Sequence, residues 1–135
     1  MNEIALSDAL IEEMINHVAA YAPEEACGLV GGRGGRAARL YPIENIMHSP
    51  VAYEMAPRQQ VRAMLDMEAA GEDLLAIYHS HPHGPAWPSL TDRRQAYYPD
   101  TAYIIISLGD PEGPSLRAFM LQDDLATEIT VRRES

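Results

Sequence analysis

Leu74-Leu75-Ala76-Ile77-Tyr78-His79-Ser80-His81-Pro82 opens the stretch that decides the fold, which continues through His83-Gly84-Pro85-Ala86-Trp87-Pro88-Ser89-Leu90-Thr91-Asp92. A short apolar run bounded by turn-forming residues reads as a buried strand. Side chains two apart on a strand share a face, so His79 and His81 project together and Pro82 ends the strand behind them. Two neutral imidazoles on one side of a rigid element make half of a zinc site. The loop with Gly84, Pro85 and Pro88 turns the chain back and delivers Ser89 and Asp92. Asp92 lies eleven residues past His81, so it comes from a different element. Two histidines and one carboxylate leave a fourth position for water, which is the open coordination of a catalytic zinc.

Plainer readings stand beside this one. Ser89-x-x-Asp92 is also a capping-box pattern for a helix beginning near Leu90. The two readings are compatible, because a cap fixes where Asp92 points. His83 is displaced into the Gly-Pro loop and reads as a loop residue.

The spacing resembles the JAMM (MPN-plus) metalloprotease motif: H-x-H, seven residues, S, two residues, D, with a Glu far upstream. Every gap from His79 to Asp92 matches. The resemblance implies one Zn2+ ion held by His79, His81 and Asp92, with Ser89 as the oxyanion donor. The family places its catalytic Glu after a Pro and two residues before a Cys-Gly pair. Pro23-Glu24-Glu25-Ala26-Cys27-Gly28 fits that pattern and assigns Glu25. Nothing in the residues themselves chooses between Glu24 and Glu25. The resemblance also implies the fold, a curved mixed β-sheet flanked by helices and related to the cytidine-deaminase-like architecture, an α/β (α+β) class. It implies cleavage after the C-terminal Gly-Gly of a ubiquitin-like protein, and for small prokaryotic members a sulfur carrier protein as substrate. Dimerisation is common in that fold, and an exposed apolar helix face would serve a homodimer, but no interface is readable here.

Composition bounds the rest. At 135 residues, 47% of them hydrophobic, the chain makes one domain, 1–135, with one real core. A net charge of −10 repels phosphate backbones and argues against nucleic-acid binding. No apolar segment approaches 18 residues, so no membrane span is expected. Met1-Asn2-Glu3-Ile4 lacks the basic and apolar regions of a signal peptide, and the single Cys27 has no partner for an internal disulfide. Together these favour a cytoplasmic protein. The basic residues are all Arg, a bias ascribed mainly to genomic composition.

Along the chain, Ser7-Asp8 open a first helix with Leu10, Ile11, Met14, Ile15 and Val18 on its apolar face, ended by Pro23. His17 reads as a surface or helix-edge residue. Residues 27–30 read as a short buried strand with Glu25 at its entrance, where a carboxylate is costly unless paired, exposed or functional. Cys27 either faces the metal as a fourth ligand or fills the core as a small apolar residue, and the second is the preferred reading. Gly34-Gly35 mark a hairpin, and residues 37–46 a second strand. Asn45 either holds substrate backbone or bonds its own turn. Pro57 starts a second helix that Gly71 stops. Trp87 either packs on a substrate tail or anchors its loop. Residues 91–98 read as a short helix, residues 102–108, 116–121 and 128–131 as strands, and Arg132-Arg133-Glu134-Ser135 as a frayed end. The expected order is helix, two strands, helix, strand, short helix, three strands.

Three other functions fit the sequence less well. A scaffold of the same fold would lack metal ligands, which this chain has. A peptidase for cell-wall or phage-tail peptides would favour a signal or a second domain. A nucleobase deaminase needs H-x-E with P-C-x-x-C, and the chain has a single cysteine.

Overall fold

In the computed structural model, which describes residues 1–135, the apolar run of residues 74–78 lies within β4 (Asp73–His81). β4 is buried on both faces because it is central: it pairs antiparallel with β2 (Cys27–Arg33) and parallel with β5 (Ala102–Ser107). That is why its sequence is continuously apolar rather than alternating. β5 shows how the two faces are divided. Ile104 and Ile106 join one core, which α1 (Asp8–Tyr21) covers with Ile11, Met14 and Val18. Tyr103 and Ile105 join the other, which α2 (Pro57–Ala69) covers with Ala63 and Met67. His79 falls in phase with Ile77 and Ile105, so the histidine pair projects on the α2 side.

The outer strands complete the sheet. β3 (Arg36–Ile43) returns beside β2 through Gly34 and Gly35, both at positive φ as a tight hairpin turn requires. β6 (Ser115–Gln122) and β7 (Leu125–Glu134) follow β5 as antiparallel neighbours. The short helix α3 (Leu90–Arg94) lies between β4 and β5 in sequence.

The expected order holds, with three corrections. A first strand, β1 (Glu3–Ser7), precedes α1 and was not anticipated. The C-terminus is not frayed: β7 runs to Glu134 and pairs in parallel with β1 from Glu3↔Thr130 to Ser7↔Glu134. Arg132 is 2.9 Å from Glu3 of β1 and Arg133 3.1 Å from Asp8 at the start of α1, so the charged end is tied to both elements. β1 also meets β3 at a single bridge, Ala5↔Arg36, which closes the curved sheet into a ring. Finally, α3 stops at Arg94 instead of running to residue 98, and Tyr97 and Tyr98 lie in irregular chain. No helix is long and apolar enough to cross a membrane.

Candidate active site

β4 delivers His79 and His81 on one face, and Pro82, which has no N–H, takes the chain out of the ladder after them. Ser80, between them, is fully buried and serves a different purpose. Its hydroxyl accepts from the Ala26 N–H at 2.9 Å and its own N–H donates to the Ala26 carbonyl at 3.0 Å. This clamp extends the β2–β4 ladder one residue beyond Cys27↔His79, so Glu25 arrives on the same side of the sheet as the two imidazoles. The sequence did not single out Ser80; a small hydroxyl residue set between two face-sharing histidines was its only signal.

Asp92 comes from the start of α3. Its N–H donates to the Ser89 Oγ at 3.0 Å, and the Ser89 N–H donates to Asp92 Oδ2 at 2.9 Å. This is the full capping box expected from Ser89-x-x-Asp92. The cap aims the carboxylate at the histidines: Oδ1 lies 3.2 Å from His79 Nε2, and Oδ2 lies 3.1 Å from His81 Nε2. The two Nε2 atoms are 3.2 Å apart.

The donor set can be tested against a metal from these separations. Zinc bound tetrahedrally at about 2.0–2.1 Å from each donor needs neighbouring donors about 3.3 Å apart. The two Nε2 atoms, 3.2 Å apart, nearly meet that spacing, and each faces its own Asp92 oxygen at 3.1–3.2 Å, so one oxygen turned between the imidazoles would complete a triangle of donors. His81 Nδ1 lies 2.8 Å from the Pro85 carbonyl, which can only accept, so Nδ1 carries the hydrogen and the Nε2 lone pair faces Asp92 and His79. Tyr53 stacks on the His79 ring with centroids 4.7 Å apart and fixes its plane. His79, His81 and Asp92 are the group in the chain able to hold an ion, and they fit one.

The electrostatics agree with that fit. Burial pushes the Asp92 carboxyl up, but the hydrogen bonds and charges of His79 and His81, with the Ser89 N–H, outweigh it and hold the group well below the usual carboxylate range. Burial likewise lowers His81, but its bonds to Asp92 and to the Pro85 carbonyl win and raise it. The same negative potential that favours a proton on His81 favours a cation among the three donors. Glu25 differs. It is 5% exposed, its Oε1 is buried without a hydrogen-bond partner, and burial pushes its pKa up to about 7. The His81 charge partly opposes that rise and the Asp92 charge adds to it. A carboxyl poised near neutrality beside a metal-fitting triangle is suited to exchanging protons.

The residues with two readings are now placed. Asn45 is buried, and all its bonds go to its own chain. Its amide donates to the carbonyls of Glu25 and Ala52, and its oxygen accepts from the N–H groups of Met47 and Glu54. It is a loop clamp that holds the Glu25 backbone. Cys27 is buried, lies outside the metal-fitting group, donates from Sγ to the Ile43 carbonyl, and has its pKa pushed by burial up to about 12. It is a core residue. Trp87 sets its ring edge-on to buried Phe119 with centroids 5.0 Å apart, which anchors the loop. His17 is half-buried and 2.8 Å from the Tyr78 hydroxyl, so it is structural rather than a surface residue. A cleft of about 560 Å³ adjoins the triangle through Tyr53 and Thr91, and Met47, Met55, Tyr97 and Tyr98 help line it.

Comparison with known proteins bears on this arrangement. Residues 7–122 match the family model Prok-JAB, described as prokaryotic homologs of the JAB domain. The chain is 36% identical over 124 residues to a CysO-cysteine peptidase of Mycobacterium tuberculosis, covering 90% of this chain and 85% of that one. It is 37% identical over 123 residues to a probable TtuB-protein conjugate cleaving protease of Thermus thermophilus, covering 90% and 78%. A solution structure of a protein from Desulfitobacterium hafniense superposes with a TM-score of 0.88 at 39% identity, covering 98% of this chain and 93% of that one.

Proposed function

We propose that this chain, which belongs to the family of prokaryotic homologs of the JAB domain, is a zinc-dependent peptidase that cleaves after the C-terminal Gly-Gly of a ubiquitin-like or sulfur carrier protein. The observation that carries this reading is the convergence of His79, His81 and Asp92, whose two Nε2 atoms lie 3.2 Å apart and each face one carboxylate oxygen at 3.1–3.2 Å, with the buried Glu25 on the same side of the sheet. The names of the relatives, a peptidase for a cysteine conjugate and a protease for protein conjugates, support the substrate class.

In this reading His79, His81 and Asp92 hold one zinc ion. Bound zinc supplies Lewis acidity, polarising the scissile carbonyl and acidifying water toward neutral pKa. Glu25 takes the proton from the attacking water and returns it to the leaving amine, a transfer its near-neutral pKa suits. The Ser89 hydroxyl accepts from the Asp92 N–H, which leaves its own proton free to donate. That proton stabilises the oxyanion of the tetrahedral intermediate, a contribution of roughly 3 kcal/mol for one such donor. The Ser80–Ala26 clamp and Asn45 keep Glu25 in register with the histidines. The aromatic cleft beside Tyr53 receives the extended tail, in which glycines allow close backbone approach.

The test is to incubate zinc-loaded protein with sulfur carrier proteins that bear residues after Gly-Gly, and to follow the products by mass spectrometry. Cleavage after Gly-Gly that disappears with a chelator and in Glu25→Gln is expected. Zinc-loaded protein that leaves the whole panel intact would count against the substrate class, and chelator-resistant cleavage would refute the metal mechanism.

A further inference from the structure

The chain carries twice as many acidic as basic residues, 20 against 10, so the place where its positive charge is left unspent is informative. Arg33 bonds to the carbonyls of Gly71 and Ala70, and Arg93 to that of Asp124. Arg36, Arg132 and Arg133 face carboxylates at 2.9–3.1 Å, and Arg117 meets Glu128 only loosely, at 3.8 Å. Arg94, at the end of α3, stands alone without a partner, whereas Arg39, Arg58 and Arg62 gather, with Asp66, along one open groove of about 430 Å³ between β3 and α2. Arg58 has no partner in the chain, and Arg39 lies over the Tyr41 ring, 4.9 Å from its centroid. Arg62 meets Asp66 only at 3.6 Å with its side chain 80% exposed, a contact too screened to neutralise it.

Two features of the fold give this groove a direction. β3 meets β1 only at Arg36, so beyond that residue its outer edge has no strand neighbour, and Leu40, Tyr41 and Pro42 form the groove floor there. The first turns of α2 also link the groove to the candidate active site, since Gln60 lines the aromatic cleft while Arg58 and Arg62 line the groove.

We infer that Arg39, Arg58 and Arg62 form a docking groove for an acidic segment of the carrier protein whose tail enters the cleft. This rests on the peptidase reading for the identity of the partner. The groove gives a net-negative enzyme a local surface that attracts an acidic segment of its substrate, and the tail then needs to pass only the first turn of α2 to reach the cleft. Such steering acts mainly on association and fades with salt.

The experiment measures binding and cleavage separately. Binding is read by fluorescence anisotropy of Glu25→Gln protein with a dye-labelled acidic sulfur carrier protein ending in Gly-Gly, and with a peptide of that carrier's C-terminal tail. The intact carrier is expected to bind with an affinity that falls between about 50 and about 300 mM salt. Combined Arg39→Glu, Arg58→Glu and Arg62→Glu changes should weaken it about ten-fold or more and flatten the salt dependence, with the tail peptide unaffected. Arg→Gln at the same positions should give a smaller loss in the same direction, with an unchanged melting temperature as the folding control. Equal binding of the intact carrier by the reversed and parent proteins, or no binding by either, overturns the groove. Binding that depends on the arginines without any cleavage by the Glu25 protein sustains the groove and overturns the peptidase. Cleavage of intact carrier at the parent rate by the reversed protein does the opposite.

Discussion

Glu25→Gln is expected to stabilise the protein while inactivating it, and the size of the gain should depend on pH. Glu25 is buried, with Oε1 lacking a partner, and burial is the main reason its pKa stands at about 7 against an ordinary 4.5. Because the folded value lies above the unfolded one, the folded state holds the proton more tightly between them. The stability this confers is fully present below about pH 4.5 and is lost as pH rises through about 7. A gap of that size is worth at most about 3 kcal/mol, and relaxation of the site around the ionised carboxylate reduces it to about 1.5–2.5 kcal/mol. Glutamine does not titrate and escapes the loss. Urea unfolding of chelator-treated proteins should therefore give similar stabilities at pH ~4, and a variant more stable by about 1.5–2.5 kcal/mol near pH 8.5. In thermal melts the alkaline gap should be about 5–10 °C. An imperfectly packed amide would shift both pH values alike, so the change in the gap with pH is the readout. A gap that is zero at pH 8.5, or the same at both pH values, would refute the claim that Glu25 is held as a buried, poorly solvated carboxylate.

Four further outcomes follow from the same geometry. Ser89→Ala should cut turnover about 10²-fold with zinc retained, measured as kcat beside metal content, although losing the cap should also loosen the start of α3 by about 1 kcal/mol. His79→Ala and Asp92→Ala should each lose metal on dialysis, because two donors do not make the triangle; stoichiometric zinc in either would sink the ligand assignment. Gly28→Ala should destabilise the fold by about 1–3 kcal/mol, since an added Cβ would lie 2.5 Å from the Tyr78 ring and push that hydroxyl off His17; an unchanged urea midpoint would count against it. Chelation should raise amide exchange across residues 89–95 far more than in β4, because α3 buries none of its five residues and is tied to the sheet chiefly through Asp92.

What the sequence made legible was local. Residues 74–78 carried the central strand because a strand buried on both faces must be apolar on both. His79 and His81 carried their shared face through the two-residue period, and Ser89 carried the cap because its hydroxyl and the Asp92 carboxylate bond within one helical turn. What stayed hidden depends on contacts distant in sequence or on backbone atoms. β1 is only five residues long and the end of β7 is charged, and they become strands because the two chain ends pair with each other. The acceptor that sets the His81 tautomer is the carbonyl of Pro85, which any residue could provide. Asn45 reads equally well as substrate contact or turn residue, because nothing local shows that three of its side-chain bonds stay in its own loop and the fourth reaches the Glu25 carbonyl. α3 stops early, and its extrapolation to residue 98 missed that Tyr97 and Tyr98 serve the cleft wall.

The site is divided between a part that cannot move and a part that can. Glu25, His79 and His81 are set by strand ladders and by the Ser80–Ala26 clamp, so their mutual placement is as rigid as the centre of the sheet. Asp92 and Ser89 sit on a helix of five residues without a buried side chain, and the chain just beyond it supplies Tyr97 and Tyr98 to the cleft. A proton carrier must keep its geometry toward the metal ligands throughout the reaction, and placing it on the sheet achieves that. A binding wall must admit a tail and release a product, and a short capped helix beside irregular chain is the part of this fold able to do so. On the proposed reading the third ligand, Asp92, lies on the side with few buried contacts, so ion binding and the order of the cleft wall would be coupled. In this architecture the metal is therefore expected to complete the substrate cleft as well as to supply the chemistry.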